Sequence, residues 1–409
     1  MSAVQIIAVV MCVMLNALDG FDVLSISFAS PGIAAEWGIE RGALGVVLSM
    51  ELIGMAVGSL VIGPFADRYG RRPMILLCLV IMTIGMYLAA IAGGVVELSI
   101  YRLATGLGIG GMLAAINAMT AEFANAKYRH MAVIIMAGGY PLGAVLGGAV
   151  VSELLISFDW RIVFYFGAVV TALFIPLVWF LLPESVSYLA QQKSDSALDK
   201  INALLRRMGH EGATTLPSGE VKTSVTELFV GDLRRKTILL TAAYFAHIMT
   251  FYFIIKWIPK LVVDMGFHPS EAGGVLVWAN LGGLMGCMTM GLLSQKLGLR
   301  RLILGALVGA VAMVIYFGQG QDDLTELAVL AGTAGFFTNG VIVGLYALFA
   351  HVFSTNVRAG GTGFVIGMGR GGAALGPVVA GFMFALSFGL DQVALVMAMG
   401  SLIAITSAT

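Results

Sequence analysis

The sequence predicts an all-α membrane protein with twelve transmembrane helices in two six-helix bundles. Three observations support this fold class: the composition, the spacing of the apolar segments and an internal repeat. Of the 409 residues, 59% are hydrophobic and only 11% are charged, whereas soluble domains carry about a quarter charged residues. The apolar composition therefore predicts contact with membrane lipid. The net charge is zero, so no nucleic-acid partner is predicted.

Twelve apolar segments are long enough to cross a bilayer, which takes about twenty residues per helix. We number these predicted spans 1 to 12; they cover residues 4–29, 42–64, 73–92, 98–121, 131–152, 162–182, 237–259, 272–294, 301–319, 325–350, 359–386 and 390–409. The one long polar stretch separates span 6 from span 7. We therefore expect an amino-terminal bundle (1–182), a cytoplasmic linker (183–236) and a carboxy-terminal bundle (237–409).

The distribution of Lys and Arg predicts the orientation. If both termini lie on one side, the loops of that side hold 17 of the 23 Lys and Arg residues, and the opposite loops hold only Arg41, Arg161 and Lys260. The positive-inside rule then predicts cytoplasmic termini, in a bacterial inner membrane. Span 1 lacks the features of a cleaved signal peptide, so we expect it to be retained. Because the chain begins and ends in apolar sequence, we expect polar tails beyond it.

The linker has two predicted helix starts. Ser194 can cap a helix that ends at Gly209, and its apolar stripe comprises Leu198, Ile201, Leu205 and Met208. A capping-box pattern over residues 224–227 leads towards span 7. A latch beneath the pore and a passive tether between the bundles both fit this pattern.

The ionisable residues inside the predicted spans include Asp19, Asp22, Glu51, Arg102, Lys256 and Arg370. A charge at membrane depth costs several kcal/mol unless it is paired, neutralised or hydrated, so such residues usually have a function. Asp19 and Asp22 share one face of a helix. They predict a proton site, the alternative being a neutral, hydrogen-bonded pair that stabilises helix packing.

The three cations in the spans are open to two interpretations each. Arg370 requires an anion, which can be a substrate carboxylate or an acid of span 1. Lys256 ends an aromatic stripe; it can contact a carboxylate or phenolate, or extend to the lipid headgroups. Arg102 can pair with Glu51, either for proton coupling or as a structural ion pair.

Three motifs resemble signatures of the major facilitator superfamily. GPFADRYGRRP (residues 63–73) follows span 2, and a degenerate copy, GLLSQKLGLRR, begins at Gly291 after span 8. RLATGLGIGG begins at Arg102, and Pro-Glu-Ser (183–185) closes span 6. The resemblance implies duplicated six-helix halves with the site at their interface, and it associates Arg102 with proton coupling.

Within the superfamily, the chain resembles the aromatic acid:proton symporter family. The resemblance rests on Asp-Gly-Phe-Asp (19–22), on the glycine-rich segment 361–377 that carries Arg370, and on Trp-Ile-Pro (257–259). It implies a monomeric symporter that imports a hydroxybenzoate-like acid by alternating access, with protons as coupling ion and no other cofactor. Lys256 departs from the family pattern, in which we expect a small or neutral residue.

The resemblance and the chemistry together give candidate site residues. Asp19, Asp22, Glu51 and Arg102 are candidates for proton coupling. Arg370, with or without Lys256, would hold the substrate carboxylate. Aromatic side chains would stack on the substrate ring; the candidates are Phe21, Tyr140, Phe251, Tyr252 and Trp278.

Charged residues of the inner loops predict a gate that holds the cytoplasmic side shut. The candidates are Asp67, Arg68, Arg71, Arg72, Glu122, Arg129, Glu184 and Arg358. Because Gln295 replaces the acid in the second copy of the motif, we expect the gate to be asymmetric. Breaking it should favour the inward-open state.

Other functions stay open at the level of sequence. Two cations in one cavity would also suit a dicarboxylate. A proton/drug antiporter is less consistent, because span 5 reads Gly-Tyr-Pro-Leu-Gly (139–143) and lacks a Gly-Pro pair. A sensor of aromatic acids that does not transport them is a third possibility. The sequence has no catalytic or metal-binding motif, and its two GxGxxG matches, at Gly106 and Gly367, lie within spans, so we expect neither an enzyme nor a metal site.

Overall fold

The computed structural model describes residues 1–125, 127–192, 195–209, 212, 228–353 and 358–408, without the side chains of residues 67, 130, 191, 195, 196, 232, 295, 350, 358, 359 and 406–408. The described residues form fifteen α-helices. These are α1 Ala3–Trp37, α2 Arg41–Val61, α3 Gly63–Tyr69, α4 Arg71–Ala90, α5 Val95–Phe123, α6 Arg129–Ser157, α7 Arg161–Leu181, α8 Val186–Gln191, α9 Asp195–Arg207, α10 Gly231–Asp264, α11 Pro269–Leu297, α12 Leu299–Phe317, α13 Leu324–Val352, α14 Arg358–Ala385 and α15 Leu390–Ala408.

Eleven of the described helices are long and apolar enough to cross a membrane, by length and composition. They match predicted spans 1 to 11 in order, and α15, apolar over Leu390–Ile405, coincides with span 12. The predicted all-α membrane fold is confirmed. Several helices extend past the predicted spans, because hydropathy marks the part inside the bilayer rather than the helix end. The first helix, for example, continues to Trp37 and stops at Gly38, whose φ is +59°.

The same helix pairs pack in both halves of the chain. In residues 1–182, which we call the N half, α2 packs on α5, α1 on α6 and α4 on α7. In residues 228–408, the C half, the corresponding pairs are α11 on α13, α10 on α14 and α12 on α15. The halves meet where α2 packs on α14, α6 on α11 and α1 on α10. A site at this interface is therefore formed by side chains from both halves.

Glycines bring α2 and α5 close together beside two of the charged residues. Gly54 lies against the carbonyl of Leu103, and Gly106 lies against the carbonyl of Glu51. A side chain at either glycine would overlap the facing backbone, whereas glycine lets helices approach closely. This close crossing places Glu51 next to Arg102.

The two ends of the bundle differ in how the halves meet. We call the end that carries α8 and α9 the linker end, and the other the far end. At the far end, Gly45 of α2 lies against Pro377 and Gly381 of α14, and Ser152 of α6 lies against Gly273 of α11. At the linker end of α14, space remains beside residues 360, 363 and 367, with no described group within 4 Å of a side chain placed there. The halves are thus packed together at the far end.

The linker contains the short helices α8 and α9. The second of these buries Ala197, Ile201 and Leu204, and Met208 is buried just after its end, whereas the predicted stripe included Leu198 and Leu205. It ends at Arg207, and Gly209 follows with a φ of +78°. The predicted caps at Ser194 and over residues 224–227 lie outside the described residues.

Candidate functional site

The two acids of α1 are buried in the N half. Asp19 and Asp22 have side chains that are 1% and 0% exposed. The Asp22 carboxylate accepts a hydrogen bond from the Thr171 hydroxyl at 3.4 Å. Neither carboxylate oxygen of Asp19 has a hydrogen-bond partner among the described residues. Gly20, between the two acids, lies directly against the carbonyl of Tyr140, so α1 is fixed in place against α6.

A third acid, Glu51, forms an ion pair with Arg102, and both side chains are fully buried. The Arg102 guanidinium also donates to the backbone carbonyl of Asp22 at 2.8 Å and lies 2.9 Å from the sulfur of Met86. Its remaining face lies over the ring of Phe164, 5.4 Å from the centroid. All of these partners belong to the N half, and the Nε of Arg102 has no hydrogen-bond partner among the described residues.

Lys256 of α10 reaches into the N half. Its ammonium group lies 3.5 Å from the second carboxylate oxygen of Glu51 and donates a hydrogen bond to the backbone carbonyl of Val23. The side chain is fully buried. In this structure Lys256 therefore does not extend towards the lipid headgroups, and the carboxylate that it contacts belongs to Glu51.

Arg370 of α14 is the least constrained cation of the group. It is half-buried, and its Nη1 has no hydrogen-bond partner in the part of the chain that the structure describes. It interacts electrostatically with Asp19 across the interface. Three tyrosines of the C half also interact with it: Tyr244, Tyr252 and Tyr346. An available guanidinium donor among phenols can bind a carboxylate.

The five predicted aromatic residues lie in different surroundings. Tyr140 and Tyr252 are half-buried and interact with each other. Phe21 packs inside the N half, edge-on to Phe166 at 5.3 Å. Phe251 is buried beside Tyr252 at 5.1 Å. The remaining one, Trp278, is 55% exposed on a stripe of α11 that it shares with Met285, Met288 and Leu292, so the structure places it apart from Arg370 and the acids.

Two tyrosines near Arg370 were missed at the level of sequence. The hydroxyls of Tyr244 and Tyr346 are 3.0 Å apart, and the Tyr244 ring lies against Gly369, next to Arg370. Tyr244 lies two turns before Tyr252 on α10, which is a signal that could have been noticed. Tyr346 has no such signal, because only the packing of α13 brings it close.

Several predicted gate residues form one group that joins the N half to the residues just before α8. Arg71 is ion-paired with Glu122, whose other oxygen accepts from the Ser185 hydroxyl at 2.7 Å. Glu184 accepts from the backbone N–H groups of Arg71 and Arg72 at 2.9 and 3.2 Å. These bonds join α4, α5 and the start of α8 and do not cross to the C half.

The other predicted gate residues have few described contacts. Arg68 is exposed and lies over the ring of Tyr69, 5.5 Å from the centroid. Arg129 is exposed at the first position of α6. The side chains of Asp67 and Arg358 lie outside the described residues.

A contact at the far end was not predicted. Arg41 of α2 forms an ion pair with Asp264 of α10 at 2.8 Å, and Lys260 pairs with the same acid. The Arg41 guanidinium also lies over the Phe384 ring, 5.2 Å from its centroid. These residues join the halves at the end where they are closed. Their wide separation in sequence gave no indication of the contact.

Comparison with known proteins identifies the family. The family model described as Major Facilitator Superfamily matches residues 11–318 and 240–408. The 3-(3-hydroxy-phenyl)propionate transporter of Escherichia coli (strain K12) is 31% identical over 395 residues, covering 96% of this chain and 91% of that protein. The gallate transporter of Pseudomonas putida is 29% identical over 395 residues, covering 95% and 88%. The 4-hydroxybenzoate transporter PcaK of Acinetobacter baylyi is 28% identical, covering 92% and 84%.

Solved structures share the fold. The xylose transporter XylE from E. coli, in a partially occluded inward open conformation, has a TM-score of 0.77 at 17% identity, covering 99% of this chain and 97% of that chain. A D-xylose-proton symporter has a TM-score of 0.74 at 17% identity, covering 98% and 96%. With the family match in both halves and the 31% identical relative, these findings show that the chain is an integral multi-pass membrane protein, not an enzyme, and belongs to the major facilitator superfamily of transporters.

Proposed function

We propose that this protein is a proton-coupled symporter that imports an aromatic carboxylic acid by alternating access. The observation that carries the proposal is Arg370, a half-buried guanidinium with a free donor among phenols, opposite the buried acids of α1. One ligand that fits this arrangement is a hydroxylated aromatic acid. Its carboxylate pairs with Arg370, and its ring and hydroxyl groups face the tyrosines.

The named relatives support the same substrate class. They transport 3-(3-hydroxyphenyl)propionate, gallate and 4-hydroxybenzoate, each of which joins a carboxylate to a hydroxylated ring. A dicarboxylate would need a second available cation. Lys256 is engaged by Glu51 and Val23, which favours a monocarboxylate.

Proton coupling follows from competition for Arg370. An ionised Asp19 attracts Arg370, whereas a protonated Asp19 leaves the guanidinium to the substrate. Asp22 lies one turn further along α1 and would share the proton. With the linker end in the cytoplasm of a bacterial inner membrane, as the Lys and Arg distribution predicts, the far-end-closed structure is inward-facing. The charges around Arg71, Glu122 and Glu184 would then hold the inner side shut in the opposite state.

Transport of 4-hydroxybenzoate into proteoliposomes with an alkaline interior tests the proposal. The parent protein should accumulate the acid above equilibrium. Asp22→Asn should lose gradient-driven accumulation but keep exchange of internal for external substrate. Arg370→Ala should weaken 4-hydroxybenzoate binding by about 10- to 100-fold and leave binding of the neutral 4-hydroxybenzamide unchanged.

The control is His247→Gln, a buried substitution whose hydrogen bonds stay within the C half. It should behave as the parent does. Accumulation by Asp22→Asn at the parent level would refute the role of Asp22, and equal loss of both ligands by Arg370→Ala would assign that residue to folding.

A further inference from the structure

We infer that Glu51 and Lys256 form a proton-sensitive tie between the two halves: ionised Glu51 holds the far end closed, and protonation of Glu51 releases it. The inference rests on the proposed proton-coupled transport and deepens it. It gives Lys256 the role of a positioning residue that acts through Glu51, in place of the substrate contact considered from the sequence.

The geometry of the pair makes it a contact between the two halves. Glu51 lies near the middle of α2 with one cation on each side, Arg102 from its own half and Lys256 from the other. All three side chains are 0% exposed. Arg102 is anchored independently by the carbonyl of Asp22. The Glu51–Lys256 contact is therefore the member of this triad that depends on the position of the C half.

The three buried acids of the N half differ in their partners. The Asp22 carboxylate receives its hydrogen bond from Thr171 of the same half. Asp19 interacts with Arg370 only at a distance, since its oxygens have no bonded partner among the described residues. Within the described part of the chain, Glu51 is the one buried acid with an ion pair to the C half.

Protonation of Glu51 changes the charge balance of the pair. When a carboxylate oxygen of Glu51 gains a proton, the carboxyl group becomes neutral and Lys256 keeps its charge. The carbonyl of Val23 is then the remaining described partner of Lys256. A buried charge without its counter-ion is strongly unfavourable, and separation of α10 from α2 lets the ammonium group reach water. Protonation therefore shifts the population towards far-end opening.

Other titratable groups face Glu51 from the surrounding helices and set the field in which it titrates. They are Asp19 and Asp22 on α1, Arg102 on α5, Tyr140 on α6, and Tyr252 and Lys256 on α10. Arg370, on the α14 helix that packs against α2, interacts with Asp19.

A symporter gains from this tie: the protonated, empty carrier stays open at the far end until substrate arrives, which limits proton leak.

The test measures far-end opening without transport. A single cysteine at Ser152→Cys, which lies against Gly273 of the other half, is placed in a background where Cys12, Cys78 and Cys287 are alanine. Its labelling by a membrane-impermeant maleimide is normalised to the unfolded protein. Glu51→Gln and Lys256→Met should each raise the labelling rate by at least about ten-fold. The double variant should label no faster than the faster single, because both remove one interaction.

A pH series assigns the proton. Parent labelling should rise as the pH is lowered, and labelling of Glu51→Gln should be fast at every pH. The control His247→Gln, in the same helix as Lys256, should label as the parent does. If Glu51→Gln fails to fold, Lys256→Met carries the test alone, because it too should be fast and independent of pH.

Parent-like labelling in monodisperse Glu51→Gln or Lys256→Met would overturn the inference, and so would a pH dependence that persists in Glu51→Gln. Binding of 4-hydroxybenzoate to the same parent protein, measured by thermal shift, separates this outcome from failure of the proposed function. Parent-like labelling of the variants together with intact binding refutes only the inference. Absence of binding refutes the proposed substrate and leaves the labelling result standing.

Discussion

The two halves of the molecule bring opposite charges into the middle of the membrane. The N half contributes three acids, Asp19, Asp22 and Glu51, and one base, Arg102. The C half contributes two bases, Lys256 and Arg370. With every acid ionised, the formal charges of the two sets would be −2 and +2, and each proton that an acid binds weakens their attraction. The interface between the halves is therefore where a small change of charge has the largest effect on conformation.

The halves also differ in how firmly they hold their cations. Arg102 is fixed by Glu51, the carbonyl of Asp22 and Met86, all within its own half. Each arginine has one unbonded nitrogen, but Arg370 has no ion-pair partner among the described residues, and Lys256 finds its partners across the interface. The cation of the N half is held by groups of its own half, whereas the cations of the C half can change partners when the halves move. Alternating access needs this difference.

The largest expected effect is on stability, when one arginine is removed from each half. Arg102→Met leaves Glu51 with a single cation and removes a buried ion pair, so we expect a loss of about 3–5 kcal/mol in the free energy of unfolding. Arg370→Met removes a half-buried group with an unbonded donor, and we expect a change within about 1 kcal/mol. Thermal unfolding of the two purified variants in detergent measures both. Equal destabilisation would show that Arg370 is as fixed as Arg102.

The sequence alone predicted the spans and the residues that carry charge into them. Length and composition suffice there, because the bilayer imposes both. The pairing of Glu51 with Arg102 could also be considered, since a buried acid and base in neighbouring spans have few alternatives. The structure places the two together.

Contacts between the halves could not be predicted in the same way. Lys256 lies on the aromatic face of α10, but only the approach of α10 to α1 brings it to Glu51 and Val23. The Arg41–Asp264 pair likewise joins residues that are far apart in sequence. The gate charges around Arg71 follow a recognisable motif, yet their partners depend on the state. In this far-end-closed structure the bonds of Arg71 to Glu122 and Glu184 do not reach the C half.

The next effect contrasts glycines of the two halves. A side chain at Gly20, between the two acids of α1, would overlap the carbonyl of Tyr140. Because backbone atoms cannot move aside, Gly20→Ala should cost about 1–3 kcal/mol in the free energy of unfolding. Gly367→Ala, on the glycine-rich α14, meets nothing within 4 Å and should be neutral or gain up to about 1 kcal/mol from helix propensity. Thermal unfolding distinguishes them, and a neutral Gly20→Ala would show that α1 is free to move against α6.

The smallest effect compares a surface ion pair with the buried one. Arg41 and Asp264 join the halves at the far end, but their side chains are 42% and 25% exposed, and exposed pairs contribute at most about 1 kcal/mol. In the Ser152→Cys background, Arg41→Gln should therefore raise the rate of maleimide labelling by only about two- to five-fold. The increase should vanish at about 0.5 M salt, since salt screens exposed charges.

The effect of Glu51→Gln on the same labelling should persist at high salt, because its partners are fully buried and ions in solution screen buried pairs much less. If Arg41→Gln opened the far end as far as Glu51→Gln does, the surface contact would account for closure and the opposite charges at mid-membrane would not. A salt-independent effect at Glu51 beside a salt-dependent one at Arg41 places the control of far-end opening in the buried charges, where a proton can change it.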